Sequence, residues 1–346
     1  MFKKLLFNTL LAGIILVGCE KDPSSPDTGI EVKHDGAFII NEGGFNKNNG
    51  SVSFYSTEDH QVQNEIFKRV NDNEKLGDVV QSMTVIDSLG FIVVNNSNKI
   101  EVIDMDTWKR IKTLVLPAYA SPRYLVNGNN GKAYVTNLYG NNVSVINLST
   151  IEIMSSIEVG ANPEEIIVSG TKAYVANSGG GDGNTISVIN LQTDQVINTI
   201  TVGDNPVFIK KDEGGILHVL CWGSWTKGTK GGIYSVDPNS DSVIDSLITE
   251  GYSSKLCIGS GDLGYLINNG NVLSFSTETY EIVNDSLIMG GSFYGIAYEP
   301  VSEHIFVLDA KDYVQNGSLI IYDKMGGLLE SFDVGVSPAS LTFIYE

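Results

Sequence analysis

The sequence predicts an all-β fold: a seven-bladed β-propeller of four-stranded antiparallel blades, its ring closed by the C-terminal strand. Three observations carry this. First, apolar residues fall in short runs rich in Val, Ile, Thr and Tyr, closed by Gly, Asn, Asp or Pro. Such runs are strand signals, and none has helical length or spacing. Second, one phrase occurs twice, as KAYVTNLYGNNVSVINLSTIEIMSSIEVGANP over 132–163 and KAYVANSGGGDGNTISVINLQTDQVINTITVGDNP over 172–206. Third, a marker residue ends the second strand of each unit: Asn41, Asn95, Asn137, Asn177, Trp222, Asn268 and Asp309, at spacings of 54, 42, 40, 45, 46 and 41. Propeller blades repeat at about 40–50 residues.

From the N-terminus, residues 1–18 read as a signal peptide. Lys3 and Lys4 form a basic start, and Leu5 to Val17 is an apolar core too short to span a bilayer comfortably. Leu16-Val17-Gly18-Cys19 resembles a bacterial lipobox, which implies cleavage before Cys19 and lipidation of that residue. The alternative is an ordinary secretory signal with an incidental cysteine. Residues 19–35 then form a lipidated tether. Its Glu20-Lys21-Asp22 resembles the charged export tags of surface lipoproteins of Bacteroidota, and PSSPDTG (23–29) has no means of packing.

Residues 36–346 make the propeller. Gly36 to Asn41 reads as a second strand with no first strand before it. Val336 to Glu346 (VSPASLTFIYE) matches a first strand with no blade after it, so the C-terminus completes blade one and removes two open edges. The 54-residue interval carries an insertion near Phe67 to Asp78, read as a charged loop. Tyr134-Val135-Thr136-Asn137 and Tyr174-Val175-Ala176-Asn177 resemble the signature of YVTN-repeat, YncE-like propellers. That resemblance implies the fold and says little about chemistry.

The formal charge is −19, from 22 basic and 41 acidic residues, which argues against nucleic acid as a partner. Cys221 and Cys257 lie within apolar runs. A disulfide between them suits an oxidising compartment, but buried free thiols fit their surroundings better.

In a propeller the B–C and D–A loops share one face, and the A–B and C–D loops the other. The first face gathers Phe45, Tyr119, Tyr139, Trp222, Trp225, Tyr252, Phe293, Tyr294 and Tyr313 among Gly and Asn. The opposite loops are small and charged, with Trp108 and Tyr280 as exceptions. Aromatic residues on loops have no core to join, so they predict a contact surface. Half of these rings are expected to pack under their own loops instead, Phe293 or Tyr119 first. Trp225, in a glycine-rich loop, is the hardest to explain as core.

Catalysis is weakly supported. His34, His60, His218 and His304 have no metal-ligand spacing, and there is no nucleophile elbow or P-loop. The glycine run 179–183 joins two strands rather than opening a helix, so it does not read as a phosphate loop. Glu42, Asp182 and Asp309 could ring the channel mouth, but Asp309 and the marker asparagines read first as strand caps bonded to nearby backbone. No cofactor is required by the sequence.

The expected function is therefore a non-catalytic cell-envelope lipoprotein, anchored in the outer membrane and exposed at the surface or facing the periplasm. Ligand binding falls to Phe45, Tyr119, Tyr139, Trp222, Trp225, Tyr252, Tyr294 and Tyr313. The resemblance to surface propeller lipoproteins of Bacteroidota implies cobalamin as one ligand and a TonB-dependent transporter as one partner. The alternatives are a scaffold for another envelope protein and a lactonase- or lyase-like periplasmic enzyme.

Overall fold

A computed structural model describes residues 35–345. The signal peptide, Cys19, His34 and the rest of the tether through residue 34 lie outside the described residues. The described residues form seven four-stranded antiparallel sheets, the blades of a propeller. Blade one takes its inner strand A from the C-terminus, where Pro338–Ile344 pairs with strand B, Gly36–Asn41, in the register Ala37 to Phe343 and Ile39 to Leu341. Blade three runs Pro122–Asn127, Lys132–Asn137, Asn142–Asn147, Glu152–Glu158, and blade four runs Pro163–Ser169, Lys172–Asn177, Thr185–Asn190, Gln195–Thr201.

Burial explains the composition of the runs. Strands B and C are sandwiched between two neighbouring blades and are buried nearly throughout, as in Lys132–Asn137 and Thr185–Asn190. They therefore read as continuous apolar runs rather than as alternation. The outer D strands are largely exposed, as in Gln195–Thr201, and carry Thr, Asn and Gln. The core is divided into seven apolar clusters among the described residues, one at each junction between successive blades.

One contact recurs at three of the junctions. The third residue of strand B meets the C–D turn of the following blade. Tyr134 donates from its hydroxyl to Asp194 at 2.7 Å, and Lys132 pairs with the same carboxylate at 2.6 Å. Tyr174 and Lys172 repeat this with Asp241, at 2.6 and 2.7 Å. The Lys-Ala-Tyr phrase is thus an inter-blade latch. In blade one the equivalent residue is Phe38, and what it meets is Trp108, with ring centroids 5.8 Å apart. The turn residues His60, Trp108, Ile151, Asp194, Asp241 and Tyr280 all lie at φ between 50° and 55°, the left-handed conformation that tight turns need.

Two expectations are corrected here. Trp108 is not an exposed loop residue but fully buried, packed on Phe38 and Phe54. The insertion is not simply a charged loop: Ile66–Val70 forms a short helix, and Ile66, Phe67, Val70 and Leu76 are buried in the same cluster as Trp108. Asn71 fastens the two, donating to Trp108 O at 3.3 Å and accepting from Arg110 N at 2.8 Å. The insertion therefore caps the ring that the turn presents to blade one.

Candidate functional site

The D–A and B–C loops are tied together at every blade. The residue following strand B donates its N–H to the carbonyl just before strand A. The pairs are Glu42 to Ser337, Asn95 to Val79, Leu138 to Ser121, Ser178 to Asn162, Trp222 to Asn205, Asn269 to Tyr252 and Ala310 to Ser292, all at 2.8–3.1 Å. The marker asparagines sit beneath this joint. Asn95 and Asn268 donate to backbone carbonyls as expected, Pro122 O at 2.9 Å and Glu250 O at 3.0 Å, but the other three bond mainly to side chains of strand C. Asn41 donates to Ser51 and Ser53, Asn137 to Asn142 and Ser144, and Asn177 to Thr185 and Ser187. Gly160 in the D–A loop must be glycine, because a Cβ there would lie 2.5 Å from Asn177. The first Val-Gly-x-Asn-Pro phrase is thus the roof over its marker, while Gly203 of the second lies against Tyr234 instead.

On this frame the B–C loop of blade five is locked. Asp182, from the B–C loop of blade four, accepts from Ser224 at 2.6 Å and from Thr226. These hydroxyls hold its carboxyl below the ordinary aspartate range. Lys227 reaches Asp182 O at 2.7 Å and Asp204 at 2.6 Å, and Thr229 donates to Asp204 at 2.8 Å. Gly223, at φ 76, passes so close to Thr229 O that a Cβ would lie 2.5 Å away. At the tip of this clasp Trp225 is 99% exposed. Beside it, Trp222 packs against Tyr252 (5.7 Å between centroids) and Phe208 (6.1 Å). Trp225, Trp222 and Tyr252, with Gly180, Asp182 and Asn205, line a cleft of about 690 Å³. The volume suits a small-molecule site, typically about 300–1,000 Å³.

The remaining predicted rings divide. Tyr139 N–H donates to Ala120 O at 3.2 Å, which brings Tyr119 and Tyr139 to one blade junction. Both are exposed, as is Phe45. Tyr119 therefore does not pack under its loop: it lies at φ 62 in a turn closed by Ala120 N–H to Pro117 O. Phe293 is buried, as expected. Tyr294 is no loop residue. It belongs to strand A of blade seven, Phe293–Glu299, and donates to Glu42 at 2.9 Å, with Tyr313 edge-on at 5.2 Å.

Each of the three acids proposed for the channel mouth has a partner of its own. Glu42 holds Tyr294, Asp182 buttresses the Trp225 loop, and Asp309 accepts from Lys311 N at 2.7 Å. Among the described residues, no three His, Cys, Asp or Glu side chains form a metal-holding group. His218 is buried between Asp212 (2.9 Å) and Ser235 (3.0 Å), and burial lowers its pKa. Cys221 and Cys257 are free and buried, with the Cys257 thiol pushed up to about 12 by burial.

Sequence reading missed the polar layer across the axial channel. Arg123 donates to Glu164 at 2.7 Å and to Gln81. Burial raises the Glu164 carboxyl against the pull of Arg123. The signal was available: PRYLVN, PEEIIV and SSKLCI each place charge inside an inner strand, where only the channel can accept it.

The family model described as Domain of unknown function (DUF5074) matches residues 35–326, and the chain belongs to that family. No curated protein matches it. Solved structures with the same fold include Kuenenia stuttgartiensis hydrazine synthase, at TM-score 0.64 and 19% identity over 73% of this chain and 85% of that one. A quinonprotein alcohol dehydrogenase-like protein from Bacteroides thetaiotaomicron VPI-5482 gives TM-score 0.68 and 14% identity over 90% and 78%. A functionally unknown protein from Desulfotomaculum acetoxidans DSM 771 gives 0.68 and 13% over 90% and 99%. At these identities the likeness is one of fold.

Proposed function

We propose that this member of the DUF5074 family is a non-catalytic binding lipoprotein of the cell envelope, anchored through Cys19, whose loop-bearing face captures a flat, polar-edged ligand between Trp225, Trp222 and Tyr252. One observation carries the reading: a tryptophan is held fully exposed at the tip of a loop locked by a charged and hydroxyl clasp. Nothing in the fold needs that ring, and a rigid aromatic residue beside a cleft loses little entropy on binding. The polar edge of the cleft, Asp182 and Asn205, would orient the ligand.

Cobalamin is the first ligand to test, because of the resemblance to surface propeller lipoproteins of Bacteroidota. A TonB-dependent transporter is the partner such a capture protein would serve. Purified protein mixed with cyanocobalamin at micromolar concentration should co-elute with the pink chromophore, and Trp225→Ala should abolish co-elution. No co-elution removes cobalamin as the ligand. Anchoring is checked separately: Cys19→Ser should leave a soluble or uncleaved form, and a variant still membrane-bound after cleavage at the same position refutes the lipid anchor.

A further inference from the structure

Strand A of each blade runs from the loop-bearing face toward the A–B loops, so its residues form successive layers of the axial channel. The Arg123–Glu164–Gln81 contacts and the Tyr294–Glu42 bond make the layer under the loop-bearing face. The later residues of the inner strands, beyond that layer, enclose a cavity of about 450 Å³. Its wall combines apolar side chains, among them Phe208, Ile296 and Phe343, with the charges of Glu165, Lys210, Lys211 and Lys255.

Among the described residues most charges lining the channel have a hydrogen-bonding partner, the exposed Lys211 through Val168 O at 3.3 Å, and Lys255 is the exception. Glu164 takes Arg123, and Glu165 takes Lys210 at 2.5 Å and Ile209 N at 2.6 Å. Glu42 accepts from Tyr294. Lys255 Nζ lies over the Phe208 ring, 4.4 Å from its centroid, and 5.5 Å from that of Tyr294. Among the described residues, no acceptor lies within its hydrogen-bond reach. Lys255 is half-buried, and a half-buried ammonium without an ion-pair partner is unfavourable, whereas a Leu or Met would fill the same wall without that penalty. Glu42 and Glu165 attract this ammonium without hydrogen-bonding to it, which leaves its donors open to an anionic ligand.

We propose that this cavity is a second ligand site, for a small organic monoanion whose carboxylate pairs with Lys255 and whose apolar body packs on Phe208, Ile296 and Phe343. Lys255 offers one charge in the wall, Lys211 lines the cavity but is exposed, and the nearby Glu164 and Glu165 disfavour a dianion. The apolar wall selects a body larger than acetate. This site lies on the other side of the Arg123 layer from the Trp225 cleft, and it stands or falls independently of the reading given to that cleft.

The test is calorimetric titration of the mature protein with octanoate and 4-phenylbutyrate, with acetate as the control. One saturable site is expected for the two larger anions, with acetate far weaker. Lys255→Met should weaken binding at least tenfold and Trp225→Ala should leave it unchanged. Lys255→Gln, with a melting curve checked against the parent, guards against a folding effect. Affinity should also fall as pH rises through about 8, because burial lowers the Lys255 ammonium to that value, with Arg123 and Lys210 adding to the effect and Glu42 and Glu165 opposing it. Only the protonated lysine binds an anion, so the loss must come on the alkaline side. Titrations showing no saturable site at millimolar probe overturn the proposal. So does unchanged affinity in both Lys255 variants, or loss of binding in Trp225→Ala, which would put the probe on the loop face.

Discussion

Trp108 and Trp225 occupy similar places in the sequence and opposite places in the molecule. Each follows two small or polar residues, DT or GS, and precedes a lysine or threonine. Trp108 is wholly buried against Phe38 and Phe54, and its Nε1 has no partner. Trp225 is wholly exposed on a loop fixed by Asp182 and Asp204. The difference lies in what the turn faces. A C–D turn abuts the preceding blade, so a large apolar ring at its left-handed position, as at Trp108, can become core, whereas His60 at the same position stays exposed. A B–C loop rises above the ring, and its tip meets only solvent or a ligand. For Trp108, burial of a large ring outweighs an orphaned N–H, which costs about 1–3 kcal/mol.

The comparison is broken most severely by opening the ring. A chain ending at Gly335 loses strand A of blade one. It also loses the Thr342 hydroxyl bond to Met83 O at 2.7 Å and uncovers Ile39, Phe306 and Leu308. Several buried side chains at about 1.5–3 kcal/mol each approach the stability of a whole domain. The expected outcome is loss of the cooperative thermal transition. A truncated protein that melts like the parent would show that strand A of blade one is dispensable.

Next is Trp108→Ala. It leaves a cavity between Phe38, Phe54 and the Ile66–Val70 helix, and should cost about 3–5 kcal/mol in a denaturant titration. A change below 1 kcal/mol would mean that the ring is not part of the blade one–two core.

How much was legible follows from such residues. The blade count, the strand order and the C-terminal closure were visible because strands B and C are buried on both faces and repeat at a fixed period. Trp108 was misread because a polar turn looks exposed when taken alone. Its burial follows only from the repeat position, where Asp194 and Asp241 meet Tyr134 and Tyr174. The Trp225 cleft was legible in part: the ring, but not the Asp182–Ser224–Thr226 clasp, whose members are 42 and 44 residues apart. Lys255 and Arg123 were passed over because a charged residue in an inner strand becomes informative only once the strand is known to line a channel.

A smaller effect separates the polar junctions from the aromatic one. Tyr174→Phe removes the hydroxyl bond to Asp241 while the Lys172–Asp241 pair remains. Phe38 already stands at the equivalent position of blade one, so the ring itself is tolerated. The expected loss is about 1–2 kcal/mol by denaturant titration. A loss comparable to that of Trp108→Ala would make the hydroxyl, rather than the ring, the main tie at this junction.

The smallest effect on folding is expected at Trp225. The ring touches solvent, while the loop beneath it is held through Ser224, Thr226, Lys227 and Thr229, none of which the substitution removes. Trp225→Ala should therefore change stability by no more than about 0.5 kcal/mol, as surface substitutions generally do. The same change should weaken ligand binding by about 2 kcal/mol or more, the usual scale for an aromatic hot spot. Trp222→Ala provides the contrast, because that ring also packs on Phe208 and Tyr252 and should lose both stability and binding. Melting curves and titrations on the two variants decide the matter together. If Trp225→Ala lowers the melting temperature as far as Trp108→Ala does, the exposed ring is structural and the two tryptophans differ in appearance only. If it leaves both stability and binding untouched, the ligand sits elsewhere on the face, and Tyr119 with Tyr139 is the next pair to remove.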